Sequence, residues 1–342
     1  MRVVGCLALA LSATAACAGC GTGLSLRVVG NHFYGAQGRP IRLLGVNRSG
    51  PEYGCIALAY QRLGFFDGPT DQRAIATMAK WGINAVRLPL NEDCWLGING
   101  VPPRYSGLRY RAAIGAYVHR LHAAGLYVIL DLHWNAPGTT LARGQQPMAD
   151  ADHSPAFWMS VARSFKDDPA VVFDLYNEAH DIDWQCWRNG CSLPTGWRTA
   201  GMQQLVDAIR STGARQPIIA SGLNWGSDLS SWLEYRPHDP ANQLAAGIHV
   251  YDFRPCATAL CWSDTVSPVS REVPVIATEL GQRVCTSAFM ERFMNWADAA
   301  GVSYLGWTWH PDGCAAPSLI LSWTGQPTSS GGQLRAHLLM LR

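Results

Sequence analysis

Charged residues are scarce in this chain, 15% of 342, and their signs nearly cancel to a net charge of +2. No basic run occurs, so the electrostatics offer nothing to nucleic acid or an anionic membrane. Linkers and internal repeats are missing as well, which points to one domain. A barrel of alternating strands and helices needs about 250 residues and fits this length without a split. No G-x-G-x-x-G follows the first strand, which removes the main reason to expect an open dinucleotide-binding sheet. Eleven Cys are present, three of them (Cys6, Cys17, Cys20) near the start. Among the eight beyond residue 20 no C-x-x-C pair occurs, so zinc has no framework to bind.

What the chain does have is a 48% hydrophobic composition, enough for a large core and too much for disorder. Its first twenty residues stand apart: Arg2 gives a minimal positive start, and Val3 to Ala16 is apolar but too short to span a membrane. Residues 1–20 therefore read as an export signal, which makes the protein secreted or cell-envelope. Ala18-Gly19-Cys20 also resembles a lipoprotein processing site, with Cys20 or Cys17 as the lipidated residue, although Cys17 stands where Leu is usual. The eight remaining Cys fit a disulfide set formed in an oxidising compartment. Their spacing suggests Cys186 with Cys191, Cys256 with Cys261, Cys285 with Cys314, and Cys55 with Cys94.

From Leu26 to Pro40, polar turns separate short apolar runs, which reads as a hairpin able to close a barrel floor. Beyond it, short apolar strands are expected at residues 41–47, 83–90, 126–134, 170–178, 217–225, 246–253, 273–281 and 302–310. Helices are expected between them at 71–81, 110–124, 156–165, 197–211 and 288–300, with a last one at 333–341. Near-continuous apolar strands alternating with amphipathic helices mean a parallel sheet covered by helices. Eight such units give an α/β fold, a (β/α)8 TIM barrel over 24–342. Long insertions at 48–69, 91–108, 135–153, 179–196 and 311–330 follow the strands on the side where such barrels place active sites.

Two strand ends carry the chemistry. The fourth strand runs Val171-Val172-Phe173-Asp174-Leu175-Tyr176-Asn177-Glu178, and the seventh runs Pro274-Val275-Ile276-Ala277-Thr278-Glu279. Strands four and seven stand across the barrel mouth, so two carboxylates can face each other over a substrate. Arg87 ends strand two, His133 strand three, His249 and Tyr251 lie on strand six, and Trp307 ends strand eight. In these residues, from Leu43-Leu44-Gly45-Val46-Asn47 to Gly306-Trp307-Thr308-Trp309, the chain resembles glycoside hydrolase family 5.

That resemblance implies a retaining two-carboxylate hydrolysis of an O-glycosidic bond. Glu178 would be the acid/base and must carry a proton near neutrality. Glu279 would be the nucleophile, held ionised by Arg87 and Tyr251. Asn177 would bond the sugar 2-hydroxyl. His133 and His249 would bind hydroxyls or orient the glutamates, and Trp307 and Trp309 would stack on the sugar. Asp131 reads as a structural ion pair with Arg87. Fourteen Trp, several on the long loops (Trp95, Trp184, Trp187, Trp262, Trp323), suit a sugar-stacking cleft. No cofactor and no partner protein are implied; the partner is a carbohydrate, a cell-wall or plant-type glycan.

The segments Asn47-Arg48-Ser49-Gly50, Phe65-Phe66-Asp67-Gly68-Pro69 and 91–100 look unlike common endo-cellulases. They resemble a branch with activity on galactofuranosides or arabinofuranosides, with Glu92 and Asp93 binding extra hydroxyls near the −1 site and disulfide-pinned loops favouring exo action. The alternative is an endo-acting β-1,4-glucanase or mannanase. A metal-dependent barrel hydrolase could use His133, His249 and His310, but the first strand lacks the His-x-His such barrels need. An inactive sugar-binding barrel predicts a missing glutamate, and neither is missing.

Overall fold

The computed structural model describes residues 23–56 and 64–342; the expected export signal lies outside them. Three short strands open the described chain: β1 (Leu26–Val29), β2 (His32–Gly35) and β3 (Pro40–Ile41), paired in that order. Eight more follow: β4 (Leu44–Asn47), β5 (Ala85–Asn91), β6 (Tyr127–Trp134), β7 (Val171–Asp174), β8 (Ile218–Ser221), β9 (Leu244–Tyr251), β10 (Val275–Gly281) and β11 (Ser303–Gly306). They close into a parallel barrel in the order β10-β11-β4-β5-β6-β7-β8-β9, as the alternation of elements predicts.

Runs such as Tyr127-Val-Ile-Leu-Asp-Leu-His133 form strands because both faces are covered, one by the barrel interior and one by helices. The helices carry one apolar stripe each. Gln72–Ala79 starts where the Asp71 side chain accepts the Ala74 N–H, and it buries Ile75 and Met78, three residues apart. The hairpin does close the floor: Leu26, Val28 and Phe33 pack against Leu43, Ile129, Val172, Ile276 and Leu305 from the strand starts.

Several expected bounds shift. The first barrel strand starts at Leu44 rather than Ile41, because Pro40 and Ile41 pair with β2 in the floor sheet. The fourth strand's ladder ends at Asp174, after which Leu175 donates to Ile219 O (3.0 Å) and Asn177 crosses to Leu132 O (3.1 Å). The eighth ends at Gly306, well short of His310. Residues 197–201 are extended, and the helix runs only over Met202–Arg210. Here the Cys186–Cys191 loop holds the chain open: the Cys191 N–H donates to the Thr199 hydroxyl (2.8 Å), and a Cβ on Gly201 would meet Gly190 N at 2.3 Å. Between β8 and β9 two four-residue helical segments, Leu223–Gly226 and Trp232–Tyr235, stand where a full helix usually covers the barrel.

All four disulfides expected from spacing are present. Cys55–Cys94 joins the loops after β4 and β5, and Cys285–Cys314 those after β10 and β11. Replacing Cys55 and Cys94 together by Ala is expected to cost about 2–4 kcal/mol by thermal unfolding. Because it spans 39 residues against 5, it should cost more than loss of Cys256–Cys261. Equal losses for the two pairs would contradict this. No helix among the described residues is long and apolar enough to cross a membrane.

Candidate active site

A fully buried arginine organises the barrel mouth. Arg87 on β5 is flanked in register by Asn47 on β4, while Asp131 on β6 pairs in register with Asp174 on β7. The guanidinium donates from Nε to Asp174 (2.8 Å), from one terminal nitrogen to Asn47 Oδ1 (3.1 Å) and Glu279 Oε1 (2.9 Å), and from the other to Asn177 Oδ1 (2.9 Å). Asp131 Oδ1 stands 3.1 Å from that second nitrogen. Burial opposes the guanidinium charge, but Asp131, Asp174 and Glu279 together hold Arg87 above its ordinary range. One cation cannot match three carboxylates. Burial pushes Asp131 and Asp174 up to about 7 each, against the pull of Arg87.

Glu279 has its second oxygen bonded by the Tyr251 hydroxyl at 2.6 Å. The register of β10 against β9 slips between Ala277 and Glu279, and irregularities of this kind re-aim a side chain beside a site. Glu178 faces it. His249 Nδ1 lies 2.9 Å from Glu178 Oε1 and 3.4 Å from Glu279 Oε2, and one oxygen of each glutamate and this nitrogen all lie within 4.8 Å of one another. Burial lowers His249 to about 3 and His133 to about 4, so both imidazoles are neutral at working pH. His249 fits where it does because Gly226 passes close by; a Cβ there would meet the ring at 2.9 Å, and the φ of +69° suits glycine. His133 bonds Asp131 (2.7 Å), and its ring stacks on Trp307 with centroids 5.6 Å apart. The Trp307–Thr308 peptide is cis.

These groups open into a pocket of about 310 Å³, walled also by Trp134, Gln145, Phe253 and Arg254. A larger cavity of about 420 Å³ lies at the other end of the barrel beside Val28 and Glu272. Its Asp239 is already bound by both ends of the Arg210 fork.

Of the expected site residues, the structure brings Arg87, His133, Asn177, Glu178, His249, Tyr251, Glu279 and Trp307 together. Three others go elsewhere. Trp309 is buried edge-on against Trp81 at 4.7 Å, because the β11 ladder ends at Gly306 and strand alternation does not carry its ring to the face of Trp307. Glu92 and Asp93 are buried in the short helix Glu92–Leu96, where Glu92 accepts from Ser154 (2.6 Å) and Asp93 from Ala142 N (2.8 Å) and Asn99 (3.0 Å). The loop tryptophans also pack inward, with Trp95, Trp187 and Trp262 buried. His310 bonds Asp67 (2.9 Å) and stands 2.8 Å from Asp312. His122 and His337 are buried, the first on Leu126 O (2.8 Å) and the second on Asp298 (2.7 Å).

Glu92 carries a testable consequence. Burial first, then the neighbouring Asp150 charge, raises its pKa well above 4.5. The folded protein therefore binds a proton there that the unfolded chain releases, and this contribution is lost as pH rises above about 4.5. Glu92→Gln keeps the shape and removes the titration. Its stability relative to the parent, read from denaturant midpoints, should rise between pH 4 and pH 8; a gap constant with pH would contradict the assignment.

Sequence reading missed several members. Asp174 was readable as the one acid in an apolar strand paired in register with Asp131. Gln145 gave no signal: it sits in a polar loop, yet its amide accepts from Asn177 Nδ2 (2.6 Å) and donates to Glu178 Oε2 (2.8 Å). Tyr176 fixes that loop by accepting the Gln146 N–H (3.0 Å).

The chain is similar to known proteins along most of its length. A curated relative, Endoglucanase 1 of Saitozyma flava, is 25% identical over 306 residues, 83% of this chain and 85% of that one. Endoglucanase 1 of Robillarda sp. is 30% identical over 54% of this chain. The match spans only 53% of that relative's length, and 59% of the probable endo-beta-1,4-glucanase B of Neosartorya fischeri. Among solved structures, the beta-glucanase of Saccharophagus degradans superposes with a TM-score of 0.70 at 22% identity, covering 93% of this chain and 94% of that one. At that identity the likeness speaks for the barrel alone. The sequence profile named Cellulase (glycosyl hydrolase family 5) matches residues 35–313, and on that match the chain belongs to glycosyl hydrolase family 5.

Proposed function

We propose that this chain hydrolyses β-1,4-linked glycan chains from within, with retention of configuration, using Glu178 as acid/base and Glu279 as nucleophile. The observation that carries the reading is the carboxylate pair, whose oxygens approach within 4.8 Å across the barrel mouth. Retaining glycosidases set their carboxyl groups about 5–5.5 Å apart, whereas inverting ones leave about 6.5–9.5 Å for a water. In the first step Glu279 attacks the anomeric carbon while Glu178 gives its proton to the leaving oxygen. In the second, Glu178 takes a proton from water, whose oxygen displaces Glu279 from the sugar. Arg87 and Tyr251 donate to the two oxygens of Glu279 and stabilise the carboxylate that attacks. Asn177 offers its amide near the sugar 2-hydroxyl, and Trp307, stacked on His133, gives a flat wall for the sugar ring.

The choice of substrate rests on relatives named endoglucanase and, in Streptomyces lividans, mannan endo-1,4-beta-mannosidase, 22% identical. An exo-furanosidase is less supported, because the segments that recommended it are committed elsewhere. Glu92 and Asp93 are buried among protein partners, Arg48 bonds Asp67 (2.6 Å), and Phe65 packs on Tyr105. Cello- and manno-oligosaccharides tested beside aryl galactofuranosides and arabinofuranosides decide this. Internal cleavage of the former is expected; turnover of furanosides alone would overturn the substrate reading. Four disulfides suit an oxidising compartment, which supports an exported enzyme.

A further inference from the structure

Arginines near the barrel mouth are held by acceptors: Arg87 by Asp174, Glu279, Asn47 and Asn177, and Arg48 by Asp67. Arg254, in the loop after β9, differs. Its side chain is only 25% exposed, yet it makes no side-chain hydrogen bond among the described residues, and its Nε is buried without an acceptor. The nearest carboxylate oxygen, Glu178 Oε1, stands 3.6 Å from a terminal nitrogen, too far for a hydrogen bond. What holds the guanidinium is aromatic. It lies 5.0 Å from the Trp225 ring centre and 5.8 Å from that of Phe253. Arg283 adds a second guanidinium 4.4 Å from Phe253. Ring faces steady a cation but give it no counter-charge. Of the nearby acids, Asp252 accepts the Arg283 backbone N–H and Asp181 bonds His180. A buried Nε with no acceptor is costly unless something arrives to take it, and the rest of the fork is free to bind with it.

Arg254 and Phe253 both wall the pocket that holds the glutamate pair. Arg254 stands beside Glu178, whereas the oxygens of Glu279 are bonded by Arg87 and Tyr251. If Glu178 protonates the leaving oxygen, as proposed above and as this inference requires, Arg254 borders the departing sugar. We infer that Arg254 anchors a leaving-group subsite for an oxyanion: the carboxylate of a uronic acid residue, or a sulfate ester, on the sugar that departs. The planar fork matches such a group with two parallel hydrogen bonds, and the stack on Trp225 and Phe253 orients it in advance.

Three cello-oligosaccharides that differ only at C6 of the departing residue (hydroxymethyl, carboxylate, sulfate) test this with the full-length protein. At least one charged form should be cleaved about tenfold more efficiently than the neutral one, as a charge-assisted pair predicts, through a lower KM. Which anion is preferred names the group. In Arg254→Met the charged-to-neutral ratio should fall towards one, Arg254→Lys should recover part of it, and 0.5 M salt should shrink it in the parent. A parent enzyme that cleaves all three alike, or a preference untouched in Arg254→Met, would overturn the inference and leave the hydrolase reading standing. Should none be cleaved, the β-1,4-glucan substrate reading fails. Calorimetric titration with cellobiose and cellobiouronate then decides the subsite by itself: tighter binding of the acid that vanishes in Arg254→Met supports it, and equal binding overturns it.

Discussion

Glu279→Gln is expected to lose turnover on every glycoside, by on the order of 10⁴-fold or more, because no other group can form the bond to the anomeric carbon. Glu178→Gln should behave differently. On natural glycans, whose leaving group is a poor alkoxide, the loss should be about 10²–10⁴-fold, the usual range for general acid catalysis. On aryl glycosides with an acidic phenol the leaving group departs without help, so the first step should survive and the second, which needs the base, should become limiting. A pre-steady-state burst of phenol in Glu178→Gln, absent in Glu279→Gln, separates the roles. The reverse pattern would mean that the two residues exchange roles. A merely structural role for Glu178 predicts the same loss on good and poor leaving groups.

Arg87→Met is expected to be the most destabilising single change at the site, about 3–5 kcal/mol. The guanidinium is the cation that Asp131, Asp174 and Glu279 share, and all are buried. Without it those carboxyls must take up protons to stay inside. With Arg87 in place Asp131 and Asp174 already sit at about 7, raised above their ordinary value. A raised carboxyl is bound to a proton in the folded state while the unfolded chain has lost it. Stability from such groups therefore falls as pH rises from about 4 through about 7. Removing Arg87 deepens that fall, so the gap between parent and Arg87→Met should be small near pH 4 and largest at pH 8. Denaturant midpoints across that range read it directly. A gap independent of pH would mean that the loss is one of packing, not charge.

The parts legible in the sequence were those set by local periodicity. The eight strands could be placed because each is an apolar run of barrel length, and the catalytic pair because strand-end position is visible once strands are counted. The disulfides could be paired because two join Cys a few residues apart and the others join loops on one rim. What could not be read depends on where loops fold back. Gln145 reaches Asn177 and Glu178 only because Tyr176, two residues beyond β7, fixes its loop. Glu92 and Asp93 follow Arg87 closely in the chain, but their helix turns them towards Ser154 and Ala142. Trp309 lies two residues from Trp307 and would share its face in a regular strand; the ladder ends at Gly306, so that alternation no longer holds. The tryptophan count misled for a related reason, since Trp95, Trp187 and Trp262 pack the outer shell while Trp134 and Trp307 reach the pocket.

The central claim is that Glu279 forms a covalent bond to the sugar while Glu178 moves the proton. Incubating the protein with an activated 2-deoxy-2-fluoro cellobioside, which slows the second step more than the first, and sequencing the labelled peptide by mass spectrometry tests it most directly. The account predicts one added cellobiosyl unit on Glu279, with Glu178 unmodified and the released product retaining its configuration. A label on Glu178, or no label together with an inverted product, would contradict it.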